Sequence, residues 1–446
     1  MPPIKVILLL LVISSASLAQ QAPAVYYSVP AADAPELAAR GHYAVGVRTV
    51  DLLHHDQVDI LHFDKSTGKA PLYDRPLKVE IWYPAIIPAG QQEQTTYQMP
   101  VPGGRGLAGV NTLSIADRAL RDAPPVAGER LPLIIVSHGY PGSRYFMSYI
   151  SANIASKGYV VAAIDHTDSV FDAMRGFDST LLNRSNDQLF TINALDQLMH
   201  QPDSFLRDLV DTGNVAIIGY SMGGYGALTS AGAGYSESSA LMKFVPGGCL
   251  QDWAASSAKF QALDRSRIKA IVAIAPWGEQ PPYQAWGEQG LAGIHIPSLF
   301  IAGDHDDVAG YASGIKPAFD RAVHSDRCLL LYENARHNVG GNPAPPEVEA
   351  SGNFSIMQSF DEPVWRKDRI TAINQHFITA FLDLYLKHDQ SKAAYLHVEP
   401  AHSNDGAWAL PEGQRDTGAY NVGNNFWKGF QRRWSLGLEM TCQSPN

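Results

Sequence analysis

The chain has 446 residues, 45% of them apolar and 17% charged, so it is long enough for a large core and too apolar to stay disordered. Its formal net charge is -10 and it has no basic block, which excludes nucleic acid and anionic membrane surfaces as expected partners.

The N-terminus reads Met1-Pro2-Pro3-Ile4-Lys5, then an apolar run from Val6 to Ile13, then small residues as far as Ala19. That order predicts a secretory signal peptide over residues 1–19 and a secreted or periplasmic protein. The run is about half of the roughly 18 residues that a span requires, and no other stretch is long enough, so no stable membrane insertion is expected. Residues 20–387 read as one catalytic domain. Gln20 to Leu37, rich in Ala and Pro, is expected to wrap over the surface.

Tyr43–Leu52 and Leu77–Tyr83 read as strands, and Lys65-Ser66-Thr67-Gly68 as the turn of an intervening hairpin. In the second, Leu77, Val79, Ile81 and Tyr83 alternate with Lys78, Glu80 and Trp82, the period of a half-buried antiparallel strand. Pro84 to Gly128 is Gly- and Pro-rich and receives no assignment. A βαβ rhythm follows. Leu133–Ser137 is apolar enough to be covered on both faces. Phe146–Lys157 reads as a helix capped by Gly158, Val160–Ile164 as a strand, Asn186–His200 as a helix and Val215–Ile218 as a strand. Tyr235–Arg267 has no period and reads as a cap insertion or excursion. Strands are expected at Ala270–Ile274, Ser298–Ala302 and Leu329–Tyr332, and an amphipathic helix at Arg369–Lys387. The expected fold is α/β: a mostly parallel, doubly wound sheet with antiparallel strands at its N-terminal side. Residues 388–446 form a C-terminal extension whose Trp408, Trp427 and Trp434 are expected to pack on the main body. Cys249, Cys328 and Cys442 allow one disulfide and one free thiol, with the pairing open.

The chemistry centres on Gly219-Tyr220-Ser221-Met222-Gly223-Gly224, a serine between a β-branched run and a helix-compatible segment. This is the setting of a nucleophile elbow, with glycines where strand and helix backbones approach too closely for a Cβ. A serine hydroxyl needs a base, and the base needs an acid. Asp306 follows the strand Ser298–Ala302, and His337 follows the strand Leu329–Tyr332. The order Ser, Asp, His is that of α/β-hydrolases. Asp304 and Asp307 read as turn or surface carboxylates. A calcium site at Asp304, Asp306 and Asp307 would lack the Gly and terminal Glu of a binding loop. No metal and no cofactor is expected. The amides of Met222 and of Tyr140, in His138-Gly139-Tyr140-Pro141-Gly142, are the candidate oxyanion donors.

These residues resemble two branches of secreted serine esterases, over Leu131 to Asn342. Gly139 to Gly142, Gly219 to Gly224, Pro276-Trp277, Asp304 to Ala309 and Ala335-Arg336-His337 are similar to motifs of bacterial cutinases and polyester hydrolases. That resemblance implies the α/β-hydrolase fold, hydrolysis of small or polymeric esters, possession of the acid role by Asp306, and an acyl group flanked by Tyr140 and Trp277. Trp277, Tyr283 and Trp286 offer an aromatic-tolerant acyl site, which would extend the substrates to aromatic esters or polyesters, while Gly278 to Gly293 reads equally as a covering loop. His138-Gly139 through Arg144 and Val161 to Asp168 are similar to platelet-activating factor acetylhydrolases and dienelactone-hydrolase-like proteins, which implies a short-acyl esterase instead. In that branch the acid follows an earlier strand, where this chain has Ala275. A non-catalytic binding protein on the same fold is the third reading.

Overall fold

The computed structural model describes residues 25–103, 107, 110–407, 413, 415 and 426–446; the predicted signal peptide and Trp408 lie outside the described residues. Twelve strands occur among them: β1 (Ala44–Val58), β2 (Leu72–Ala85), β3 (Thr95–Pro100), β4 (Thr112–Asp117), β5 (Leu120–Arg121), β6 (Leu131–Ser137), β7 (Val160–Asp165), β8 (Val210–Tyr220), β9 (Ile268–Ile274), β10 (Ser298–Gly303), β11 (Arg327–Tyr332) and β12 (Leu438–Gln443). Ten form one sheet in the order β12-β11-β10-β9-β8-β6-β7-β2-β1-β5, while β3 and β4 form a separate hairpin. The strands from β7 to β11 run parallel, and β2, β1 and β12 bring antiparallel edges.

All seven residues of β6 are buried, as a parallel strand covered on both faces requires. Helix α1 (Ser148–Ala155) packs with the long helix Lys367–Leu386, and helix α2 (Phe177–Met199) packs with α3 (Met222–Ser230). The chain moves from β6 outward to β7 and then back past β6 to β8. Right-handed crossovers therefore place α1 and α2 on opposite faces and open a crevice beyond the carboxyl ends of β6 and β8. The candidate residues gather at that edge.

Four sequence expectations change. The inner half of β2 is buried on both faces, because the β3–β4 hairpin covers it: Trp82 Nε1 donates to Tyr97 Oη at 2.8 Å. The buried Glu80 carboxylate accepts from Arg121, Arg144 and Tyr145. The hairpin itself occupies the unassigned stretch 84–128. Helix α2 starts at Phe177 rather than Asn186; its first turns carry Asn183, Arg184, Asp187 and Gln188, polar yet buried, which breaks the apolar period. The tail is not wholly irregular, since β12 pairs with β11 and places Cys442 opposite Cys328, to which it is disulfide-bonded. Cys249 is the free thiol. Within the extension Trp427 is buried and donates to Pro400 O, whereas Trp434 is 41% exposed under the Arg369 guanidinium. The stretch 235–267 folds into short helical turns and adds no strand to the sheet.

Candidate active site

The turn after β8 is sharp. Ser221 takes φ 52° and ψ -114°, a strained conformation for a residue with a Cβ. A Cβ on Gly219 would lie 2.1 Å from Gly223 O, and one on Gly223 would lie 1.9 Å from Ser137 O. Only glycine permits β8, α3 and β6 to meet this closely. The Ser221 amide donates to Ile274 O at 2.8 Å, which fixes the turn to β9.

His337 Nε2 stands 3.0 Å from Ser221 Oγ, and His337 Nδ1 stands 2.8 Å from Asp306 Oδ2. The loop after β10 brings in Asp306 and the loop after β11 brings in His337. Asp306 Oδ1 accepts from the amides of Val308 and Ala309 at 2.9 and 2.8 Å. Burial raises the Asp306 pKa, but the His337 hydrogen bond and charge and these two amides outweigh it and hold the carboxyl below its ordinary range. Asp304 pairs with His305 and Asp307 with Arg336, so the three aspartates turn to three different partners. No group of three His, Cys, Asp or Glu side chains able to hold a metal occurs among the described residues.

The backbone around His337 is clamped by Glu362, a buried residue that the sequence did not flag. Its carboxylate accepts from Arg336 N at 2.7 Å and from Asn338 N at 2.6 Å, one amide on either side of the histidine. Lys367 donates to Asn338 O from the start of the long helix.

The two candidate oxyanion amides are each oriented through the carbonyl of their own peptide. Ser221 O accepts from Tyr225 N at 3.0 Å and Trp277 N at 3.3 Å, so the Met222 N–H of the same trans peptide points the other way. Gly139 O lies 2.7 Å from His138 Nδ1 and accepts from Arg184 Nη2 at 3.3 Å, which turns the Tyr140 N–H away from α2. His138 Nε2 accepts the His166 amide at 3.3 Å, so the imidazole proton sits on Nδ1 and donates to Gly139 O. Arg184 also donates to His138 O and Ser169 Oγ, and Gln188 Nε2 donates to Gly223 O at 3.1 Å. None of Arg184, Gln188 and Glu362 belongs to a recognisable motif; no sequence signal marks them.

Ser221 is 8% exposed. Trp277, next to it, packs against Tyr283 at 4.5 Å between ring centroids. Trp286 does not line the site: it is buried and donates from Nε1 to Thr229 Oγ1 at 2.8 Å. The Tyr140 hydroxyl donates to Arg175 O at 2.5 Å.

A PET hydrolase-like family model matches residues 122–255, the stretch that holds the Tyr140 loop and the Ser221 elbow. The chain is 26% identical over 206 residues to cutinase est1 of Thermobifida alba, covering 46% of this chain and 52% of that one. It is 24% identical over 205 residues to a bis(hydroxyethyl) terephthalate hydrolase of Streptomyces coelicolor, covering 46% and 49%. The chain thus spans about half the length of the curated relatives it matches. A solved ferulic acid esterase from Streptomyces cinnamoneus superposes with a TM-score of 0.51 at 21% identity, covering 80% of this chain and 94% of that one. The chain has the α/β-hydrolase fold and resembles the cutinases and PET hydrolases.

Proposed function

We propose that this chain is an exported carboxylic ester hydrolase that works through an acyl-enzyme on Ser221. The observation that carries the reading is the continuous relay from Asp306 through His337 to Ser221 at one edge of the sheet. Ser221 Oγ attacks the ester carbonyl carbon while His337 Nε2 takes its proton. The carbonyl oxygen becomes an oxyanion that accepts from the Tyr140 and Met222 amides. Its collapse breaks the acyl C–O bond, and His337 passes the proton to the departing alkoxide. Water, deprotonated by His337, then releases the acid and restores Ser221. Asp306 holds the imidazole with Nδ1 protonated and stabilises the imidazolium. No step requires a cofactor.

Export is supported by the Cys328–Cys442 disulfide, since such bonds persist in oxidising compartments. No helix among the described residues is long and apolar enough to cross a membrane. Substrates are small-molecule or polymeric esters, the classes named for the relatives.

The test is labelling with a fluorophosphonate probe and hydrolysis of p-nitrophenyl acetate. Ser221→Ala should abolish labelling and lower kcat by about 10³-fold or more with an unchanged melting curve. A wild-type protein that neither labels nor turns over would leave a binding protein on this fold as the better reading.

A further inference from the structure

Two aromatic walls stand beside the serine. Gly139 packs against it, with an ideal Cβ there only 3.3 Å from Ser221 Cβ, and Tyr140 follows directly. Trp277 is bonded to it through the amide that donates to Ser221 O at 3.3 Å. Phe177, the first residue of α2, touches both walls. Its ring lies 5.0 Å from that of Tyr140 at 65° and 5.3 Å from that of Trp277 at 86°. Both are edge-to-face contacts. A planar group inserted between two rings needs about 3.5 Å on each side, roughly 7 Å in all. Phe177 leaves no such layer against either wall.

The ring is also held in place. The Tyr140 hydroxyl bonds to Arg175 O, two residues before Phe177. From outside, Phe244 of the short helix Leu241–Phe244 packs at 6.2 Å on Phe177 and is itself 52% exposed. Trp277 is itself held by Tyr283, whose ring lies 4.5 Å from the indole.

We propose that Phe177 is the specificity-determining residue of this site: it fills the gap between Tyr140 and Trp277 and confines the acyl group to short aliphatic chains. The inference rests on the reading of Ser221 as the nucleophile that accepts the acyl group. It assigns to a single side chain the difference between a short-acyl esterase and an enzyme that accepts an aryl acyl group.

The experiment compares kcat/KM for p-nitrophenyl acetate, butyrate and benzoate on the full-length wild type, Phe177→Ala and Phe177→Leu, with Ser221→Ala as control. The wild type should prefer acetate over benzoate by at least about tenfold, because a pocket one or more carbons too small discriminates at that level. Phe177→Ala should raise the benzoate-to-acetate ratio at least about tenfold, and Phe177→Leu should raise it less. Leu keeps most of the apolar volume and decides the question if the Ala variant does not fold. A ratio that stays level or falls in the folded variants overturns the proposal. Ser221-dependent acetate turnover with an unmoved ratio overturns it alone; absence of Ser221-dependent turnover of all three esters overturns the ester-hydrolase reading as well.

Discussion

Arg184 places its guanidinium on the carbonyl side of the two peptides that lead into Tyr140, at His138 O and Gly139 O. Burial lowers its pKa to about 9, against the pull of the Asp187 charge, and a buried cation of this kind is retained only where its donors are used. Here the planar fork serves two adjacent carbonyls and Ser169 Oγ, which an ammonium cannot match. Removing one oxyanion donor costs about 10²–10³ in kcat, and misaligning one costs less. Arg184→Lys should therefore lower kcat about tenfold to a hundredfold with little change in KM. Steady-state kinetics on an acetate ester, with a melting curve to show the fold intact, checks this; an undiminished kcat would remove Arg184 from the account. Ser221, Asp306 and His337 were legible in the sequence because each sits directly after a buried strand, in a pattern carried by its neighbours. Arg184, Glu362 and Phe177 were not, because what they touch lies in other segments and their own surroundings look like ordinary helix or loop.

At the scale of elements, β2, β6, β7 and α2 are tied by a buried polar cluster behind the Tyr140 loop. Arg75 of β2 makes two bonds to Asp187 of α2, at 2.8 and 3.0 Å. His166, just after β7, donates from Nδ1 to Asp187 at 2.9 Å and accepts at Nε2 from Ser137 of β6 at 2.8 Å. Burial lowers the His166 pKa from its ordinary 6.5 to about 3, and it does the same to His376 on the long helix. Between those values the unfolded chain binds protons that the folded chain does not. Stability from these groups is therefore full above about pH 6.5 and is lost as pH falls toward 3. The urea midpoint should drop between pH 6.5 and 4.5, before most carboxylates titrate, and His166→Gln should flatten that slope; a level midpoint over this range would contradict the assignment. The parallel strands from β6 to β11 were legible from apolar runs alone. The β3–β4 hairpin was hidden because its runs are short and lie among glycines and prolines, and the start of α2 was hidden by the polar residues of this same cluster.

For the whole molecule, the two ends of the described chain close on the long helix. The Glu36 amide donates to Gly429 O at 2.7 Å and the Leu37 amide to His376 Nδ1 at 3.1 Å, while Trp427 and Phe430 pack on Phe377. Beyond them β12 completes the sheet, although only Leu438 and Met440 of its six residues are buried, too weak an alternation to read from sequence. What holds it is the ladder to β11 and the Cys328–Cys442 bond, which closes a loop of sequence separation 114. Disulfides typically stabilise by about 2–4 kcal/mol, chiefly by restricting the unfolded chain. The location matters as much as the magnitude. Strand β11 leads into the His337 loop, and the first residue of that loop, Glu333, is pinned by its amide to Gly437 O at 2.9 Å and by its carbonyl to Trp365 Nε1 at 2.7 Å. Gly437 adjoins the opposite end of the β11–β12 pair from the disulfide, so release of β12 along its whole length removes one anchor of the His337 loop. Cys442→Ser should thus lower global stability by about 2–4 kcal/mol, and esterase activity should vanish at a lower urea concentration than the far-UV circular dichroism signal. Activity and structure lost together in the variant, as in the wild type, would show that β12 supports the fold without supporting the site.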